Sequence, residues 1–317
     1  MDSRSTADGG LSRRTQIIKR IVADFNSSEY LLERFGPEYT GRDEMDDDFK
    51  YPPHLRAERF EIDGIKCELL SVDKESEISD SLRESAGRWT ILHFHGGGYV
   101  GAMRRSYKNM AGLYSEVGRG ATVLTVDYRV APENPFPAAL DDAVAAYDWL
   151  LDSGCSPENI VFAGDSAGGG LSMALCHVLK SSWRERTAGL ILMSPWADLT
   201  ASGSSYTDNK DIDPVFGGSR AELIYNNPYI GDADPRDPRI SPMFGDFTGF
   251  PPMLIQVGTD EMLLSDSEAV ASKARSAGVK VRFTKYPGMF HVFQMAGTLM
   301  DESKSAWAEV GRFLSEI

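Results

Sequence analysis

Short apolar runs alternate with amphipathic stretches along most of the chain. Residues 90–94, 121–126, 159–163, 189–193, 252–257 and 279–283 each have the length of one strand. Their mostly continuous apolar character suits strands covered on both faces. Helical patterns lie between most of them, at 140–151, 167–180, 265–277 and 303–317. Strands alternating with helices predict a mainly parallel sheet wrapped by helices. Before the first of these strands, Arg59-Phe60-Glu61-Ile62 and Ile65-Lys66-Cys67-Glu68-Leu69 flank Asp63-Gly64, a strong signal for a tight hairpin, so the sheet is expected to start antiparallel.

Two regions break the rhythm. Residues 1–55 are polar at first, then carry Ile17, Ile18, Ile21, Val22 and Phe25 at helical spacing, then the acidic stretch Asp43-Glu44-Met45-Asp46-Asp47-Asp48 and Pro52-Pro53. A helix is expected there, followed by a solvated acidic loop, since carboxylates in a run repel one another unless a cation is present. Residues 198–243 hold Gly, Ser, Asp and Pro clusters around one apolar patch, Leu223-Ile224-Tyr225, which is too long for a simple connection. The expected organisation is an N-terminal cap segment over 1–55 and a main α/β domain over 56–317, with a cap insertion around 198–227.

Charge and cysteine usage narrow the function class. With 33 basic and 47 acidic residues the formal net charge is -14, which repels phosphate backbones and anionic membrane surfaces, so neither nucleic acid nor membrane is an expected partner. The three cysteines, Cys67, Cys155 and Cys176, are odd in number and widely spaced, as a reducing compartment tolerates. Residues 1–20 lack the apolar core of a secretory signal and no apolar run approaches 18 residues, so a cytoplasmic protein is expected.

Candidate chemistry centres on Gly164-Asp165-Ser166-Ala167-Gly168, entered from the apolar run 160–163 and left through small and apolar residues of a helical stretch. A strand-to-helix turn this tight strains its central residue and requires neighbours without bulk at two before and two after, which Gly164 and Gly168 satisfy. Ser166 therefore reads as a nucleophile. After the run 90–94 comes His95-Gly96-Gly97-Gly98-Tyr99, whose glycines leave amides free to approach an anion. The loop lacks phosphate-binding spacing, and it fits an oxyanion hole built from the amides of Gly97, Gly98 and Ala167. Of the five histidines, His54 lies near the N-terminus, His93 in a strand, His95 in the glycine loop and His177 far along the helix after Ser166; this leaves His291, in a glycine-bearing loop, as the base. Asp260, at the carboxyl end of the run 252–257, is preferred as its orienting acid over the nearby Glu261 and Asp266, the last resembling a first-turn helix acid. The order Ser166, Asp260, His291 is that of α/β-hydrolases.

Taken with Asp127-Tyr128-Arg129-Val130-Ala131-Pro132-Glu133 and Phe136-Pro137-Ala138-Ala139, these motifs closely resemble the hormone-sensitive-lipase family of carboxylesterases, from about residue 58 to the end. The resemblance implies an α/β-hydrolase fold, with a mostly parallel central sheet flanked by helices and a helical cap. It implies a cofactor-free and metal-free serine hydrolase acting on small to medium esters or, in the branch that the ending 289–294 resembles, lactones; amidase chemistry is a further alternative on the same site. A ligand-binding receptor without turnover is disfavoured, since all three triad members are present. His95, Gly96 and Asp165 would be structural at the site, with His95 bracing the glycine loop, and Tyr99, Phe290 and Val292 would meet substrate. Residues 127–137 would form a structural turn in which Ala131-Pro132 and Phe136-Pro137 are candidates for the cis isomer. Homodimerisation through the edge near 279–286 is a further implication.

Overall fold

The computed structural model describes residues 10–25, 49–72, 89–184, 186–217 and 221–317. The acidic stretch 43–48 lies outside them. Helix α1 (Arg13–Phe25) precedes the hairpin β1 (Arg56–Ile62) and β2 (Ile65–Ser71), whose Asp63 and Gly64 both take positive φ, as a two-residue hairpin turn requires. The chain then alternates: β3 (Thr90–Phe94), α2 (Arg105–Val117), β4 (Thr122–Val126), α3 (Ala138–Asp152), β5 (Ile160–Asp165), α4 (Ala167–Ser181) and β6 (Gly189–Met193). A long excursion holding the short helices α5 (Ser205–Asp208) and α6 (Ala221–Tyr225) leads to β7 (Met253–Gly258), α7 (Leu264–Ser276), β8 (Val281–Tyr286) and α8 (Asp301–Glu316).

The eight strands form one sheet in the order β1-β2-β4-β3-β5-β6-β7-β8. β1, β2 and β4 pair antiparallel and the remaining pairs are parallel, so the sheet starts antiparallel as the hairpin signal predicts. The continuous apolar runs have their physical reason in two-sided burial. Leu92, Phe94, Phe162, Leu190, Leu192 and Ile255 point to the face covered by α3, α4 and α7, while Ile91, Val123, Val161, Ile191 and Leu254 point to the face covered by α2 and α8. Helix α2 packs Tyr107, Met110, Ala111 and Tyr114 onto that second face, a 3.6-period stripe. Cys67, Cys155 and Cys176 are free and buried. No described helix is long and apolar enough to cross a membrane.

The helix expected in the N-terminal segment is α1, in which Ile18 and Val22 pack with Met289, Phe290 and Phe293, while Ile17 and Ile21 are exposed. Asp266 sits in the first turn of α7, as read from the sequence, and is buried. Its Oδ2 accepts from the amides of Ala197 and Asp198 and from the Tyr206 hydroxyl, and burial pushes its carboxyl well above the ordinary range. It ties the excursion after β6 to α7.

Candidate active site

Ser166 occupies the turn between β5 and α4 with φ 52° and ψ -121°, a strained geometry for a residue with a side chain. The flanking glycines are sterically required. A Cβ on Gly164 would lie 2.3 Å from the Gly168 carbonyl group, and one on Gly168 would lie 2.0 Å from the Phe94 carbonyl oxygen. The Ser166 amide donates to Met193 O (2.9 Å) and its carbonyl accepts from Trp196 N (2.8 Å), so the end of β6 clamps the turn. Ala167 is the first residue of α4, where amides have no intrahelical acceptor and point toward the site.

The glycine loop follows β3. Gly97 and Gly98 take φ of 112° and 63°, and neither amide enters a backbone hydrogen bond among the described residues. The loop is braced from several sides. His95 Nδ1 donates to Gly96 O (2.7 Å), its ring stacks on Tyr128 at 4.2 Å, and the Gly96 amide donates to Asp165 Oδ1 (3.2 Å). His95, Gly96 and Asp165 are all buried here. Burial pushes the Asp165 carboxyl up to about 6. Across the site, Asn227 in the excursion donates its Nδ2 to Gly98 O (2.8 Å), which fixes the peptide plane next to the candidate oxyanion amides. The peptide bonds Ala131-Pro132 and Phe136-Pro137 of the supporting turn are cis.

His291 follows β8, and its partner differs from the sequence expectation. His291 Nδ1 lies 2.8 Å from Glu261 Oε2, not from Asp260. Asp260 turns the other way: its Oδ2 accepts from Lys19 Nζ on α1 (2.5 Å) and its Oδ1 from the Thr259 hydroxyl (2.9 Å). The physical reason is the chain's course after β7. The Asp260 amide is held by Met289 O (2.9 Å) in the turn that follows β7, and at the next position of that turn Glu261 meets Ser194 at the end of β6 and His291. Glu261 is held there by the Gly258 amide (2.6 Å) and the Ser194 hydroxyl (2.8 Å), both on Oε1. The excursion grips the same turn. Asn209 Nδ2 donates to Glu261 O (2.8 Å), and Asp213 accepts from Met262 N (2.7 Å) while its other oxygen holds the amides of Val215 and Phe216. Phe216 lies over His291 with ring centroids 4.6 Å apart.

The other histidines are engaged elsewhere: His54 is exposed, His93 Nδ1 meets Thr125 Oγ1 (3.2 Å) inside the sheet, and His177 meets Pro242 O (3.1 Å). Of the residues expected to meet substrate, Tyr99 has its ring buried and stacked on Tyr229 at 3.9 Å, and Phe290 joins the cluster that receives Ile18 and Val22. Val292 is buried with φ 50°, its amide on the Ser194 hydroxyl (3.1 Å).

The arrangement can hold a neutral imidazole in one tautomer. A proton on Nδ1 is directed to the Glu261 carboxylate, which leaves Nε2 as the acceptor of the ring.

Known proteins share this chain's pattern. A family model described as an alpha/beta hydrolase fold matches residues 91–295. An acetyl-hydrolase of Streptomyces hygroscopicus is 40% identical over 225 residues, 71% of this chain and 75% of that protein. An esterase of Acinetobacter venetianus is 38% identical over 228 residues, 72% and 75% of the two chains. The crystal structure of an esterase from the bacterial hormone-sensitive lipase family superimposes with a TM-score of 0.80 at 32% identity, covering 96% of this chain and 97% of that one. The chain therefore belongs to the hormone-sensitive-lipase family of alpha/beta hydrolases and is a carboxylesterase-type hydrolase.

Proposed function

We propose that this hydrolase cleaves small to medium, largely uncharged acyl esters through Ser166 as nucleophile, His291 as general base and Glu261 as the orienting acid. The observation that carries the reading is the 2.8 Å contact between His291 Nδ1 and Glu261 Oε2, on a loop that meets the same β6 end as the strained Ser166 turn. In this scheme Nε2 of His291 takes the Ser166 proton as Oγ attacks the ester carbonyl. The developing oxyanion is held by the amides of Gly97, Gly98 and Ala167. The imidazolium, balanced by Glu261, then protonates the leaving alcohol, and water releases the acid from the acyl-enzyme by the same relay. Phe216, Leu223 beside Gly98, and Val292 are the side chains proposed to meet the substrate, with Tyr99 supporting the loop from below. Similarity to an acetyl-hydrolase favours short acyl groups. The outer edge of β8 is the proposed contact for a homodimer, since an open strand edge invites pairing.

The direct test is Ser166→Ala. It is expected to abolish both p-nitrophenyl acetate hydrolysis and labelling by a fluorophosphonate probe, and retained turnover would overturn the mechanism.

A further inference from the structure

Ser194 is the first residue after β6, fully buried, with φ 47°, a left-handed conformation that residues with side chains seldom adopt without compensation. Its amide donates to Gln256 O on β7 (2.7 Å), which holds the residue in that conformation. Its hydroxyl meets two groups: Glu261 Oε1 at 2.8 Å and the Val292 amide nitrogen at 3.1 Å. An amide can only donate, so the oxygen accepts from Val292, and its single proton goes to the carboxylate. With the Gly258 amide on the same oxygen, Glu261 Oε1 carries two donors and Oε2 is left for His291. A carboxylate held in this way rotates only by breaking a bond on either side.

We propose that Ser194 is a positioning residue of the ester-hydrolysis reaction. One hydroxyl fixes the acid directly and the base through the residue that follows it, Val292, and so sets the Glu261–His291 contact. The neighbours of Ser194 in the chain carry this frame to the nucleophile: Met193 O accepts from Ser166 N, and Trp196 N donates to Ser166 O. The inference rests on the Ser166, His291 and Glu261 reading given above. If Ser194 served packing alone, its loss would weaken the fold irrespective of what stands at position 261.

The test is a four-member cycle: wild type, Ser194→Ala, Glu261→Gln and the double variant, with kcat and KM for p-nitrophenyl acetate measured where thermal melting shows each protein folded. Ser194→Ala alone is expected to lower kcat about tenfold to hundredfold with KM within about threefold, the loss typical of one hydrogen bond to a charged group. In the Glu261→Gln background the same substitution is expected to change kcat by no more than about twofold, because no carboxylate is left to hold. Equal fractional losses in both backgrounds would overturn the proposal. A Glu261→Gln variant with wild-type kcat would instead overturn the triad reading beneath it, so the two failures are distinguishable. Should Ser194→Ala not fold, Ser194→Cys replaces it: its weaker donor is expected to give a loss of about threefold to tenfold, and wild-type kcat in that variant would overturn the proposal.

Discussion

Glu261 Oε2 stands 2.8 Å from His291 Nδ1, while the carboxylate next to it in the chain, Asp260, is held 2.5 Å from Lys19. Two adjacent acids thus face opposite sides of one turn, and their replacements should separate. Glu261→Gln is expected to lower kcat about 10³- to 10⁴-fold, the cost of losing the acid that orients the base. Asp260→Asn should keep kcat within about tenfold, since its partner is on α1. Steady-state hydrolysis of p-nitrophenyl acetate decides between them, and the reverse ranking would return the role to Asp260.

This pair also marks the limit of what the sequence alone conveys. The strands of the sheet were legible because two-sided burial demands continuous apolar runs, and the Ser166 turn and the Gly97–Gly98 loop were legible because each depends on residues within a few positions of itself, whereas His291 was reached by setting aside the four other histidines. Helix α2 was not among the helical patterns read from the sequence, although its stripe Tyr107, Met110, Ala111 and Tyr114 has the helical period. The choice between Asp260 and Glu261 depends on contacts far along the chain: Lys19 lies 241 positions from Asp260, and Ser194 lies 67 from Glu261. The stacking of Tyr99 was not legible for a similar reason, because its partner Tyr229 comes from the excursion after β6.

The elbow glycines make a steric prediction. Gly168→Ala places a methyl group 2.0 Å from Phe94 O, a backbone atom at the end of β3 that cannot swing aside as a side chain can. The variant should lose about 3 kcal/mol or more of stability in denaturant melts, and its activity should fall further because the glycine loop starts just after Phe94. Gly112→Ala is the control. It lies in α2 with nothing within 4 Å of the added methyl, so it should be neutral or stabilise by up to about 1 kcal/mol.

Helix α1 is fastened where the acid and histidine loops meet. Lys19 Nζ reaches both Asp260 and Gly288 O (3.1 Å), Leu11 lies against Gly288, and Ile18 and Val22 pack on the cluster that holds Phe290. Lys19→Met keeps most of the apolar stem and removes the charge. It should weaken docking of α1 by roughly 1–2 kcal/mol, seen as faster limited proteolysis within residues 13–25. KM should rise severalfold while kcat stays within about threefold. Unchanged cleavage would show that the apolar contacts alone hold the helix.

Acid sensitivity should trace in part to His177. Burial against Phe247 and Phe250 pushes its imidazole down to about 4, and the ring meets Pro242 O at 3.1 Å. In the unfolded chain the same group titrates near its ordinary value of about 6.5. Between those values the unfolded state binds a proton that the folded state does not, so stability is lost as pH falls from about 6.5 to 4, by up to about 3 kcal/mol. Asp165 acts in the opposite sense. Its folded carboxyl, raised to about 6, takes up a proton before the unfolded one does, so it adds stability as pH falls from about 6 toward the ordinary aspartate value. The net curve therefore understates each contribution, and a variant is needed to separate them. His177→Gln keeps an N–H for Pro242 O and removes the titration; its melting temperature should fall less than that of the wild type between pH 6.5 and 4, with Asp165 unchanged in both. Parallel curves would mean that His177 takes up its proton equally in the folded and unfolded chains, contrary to the depressed value.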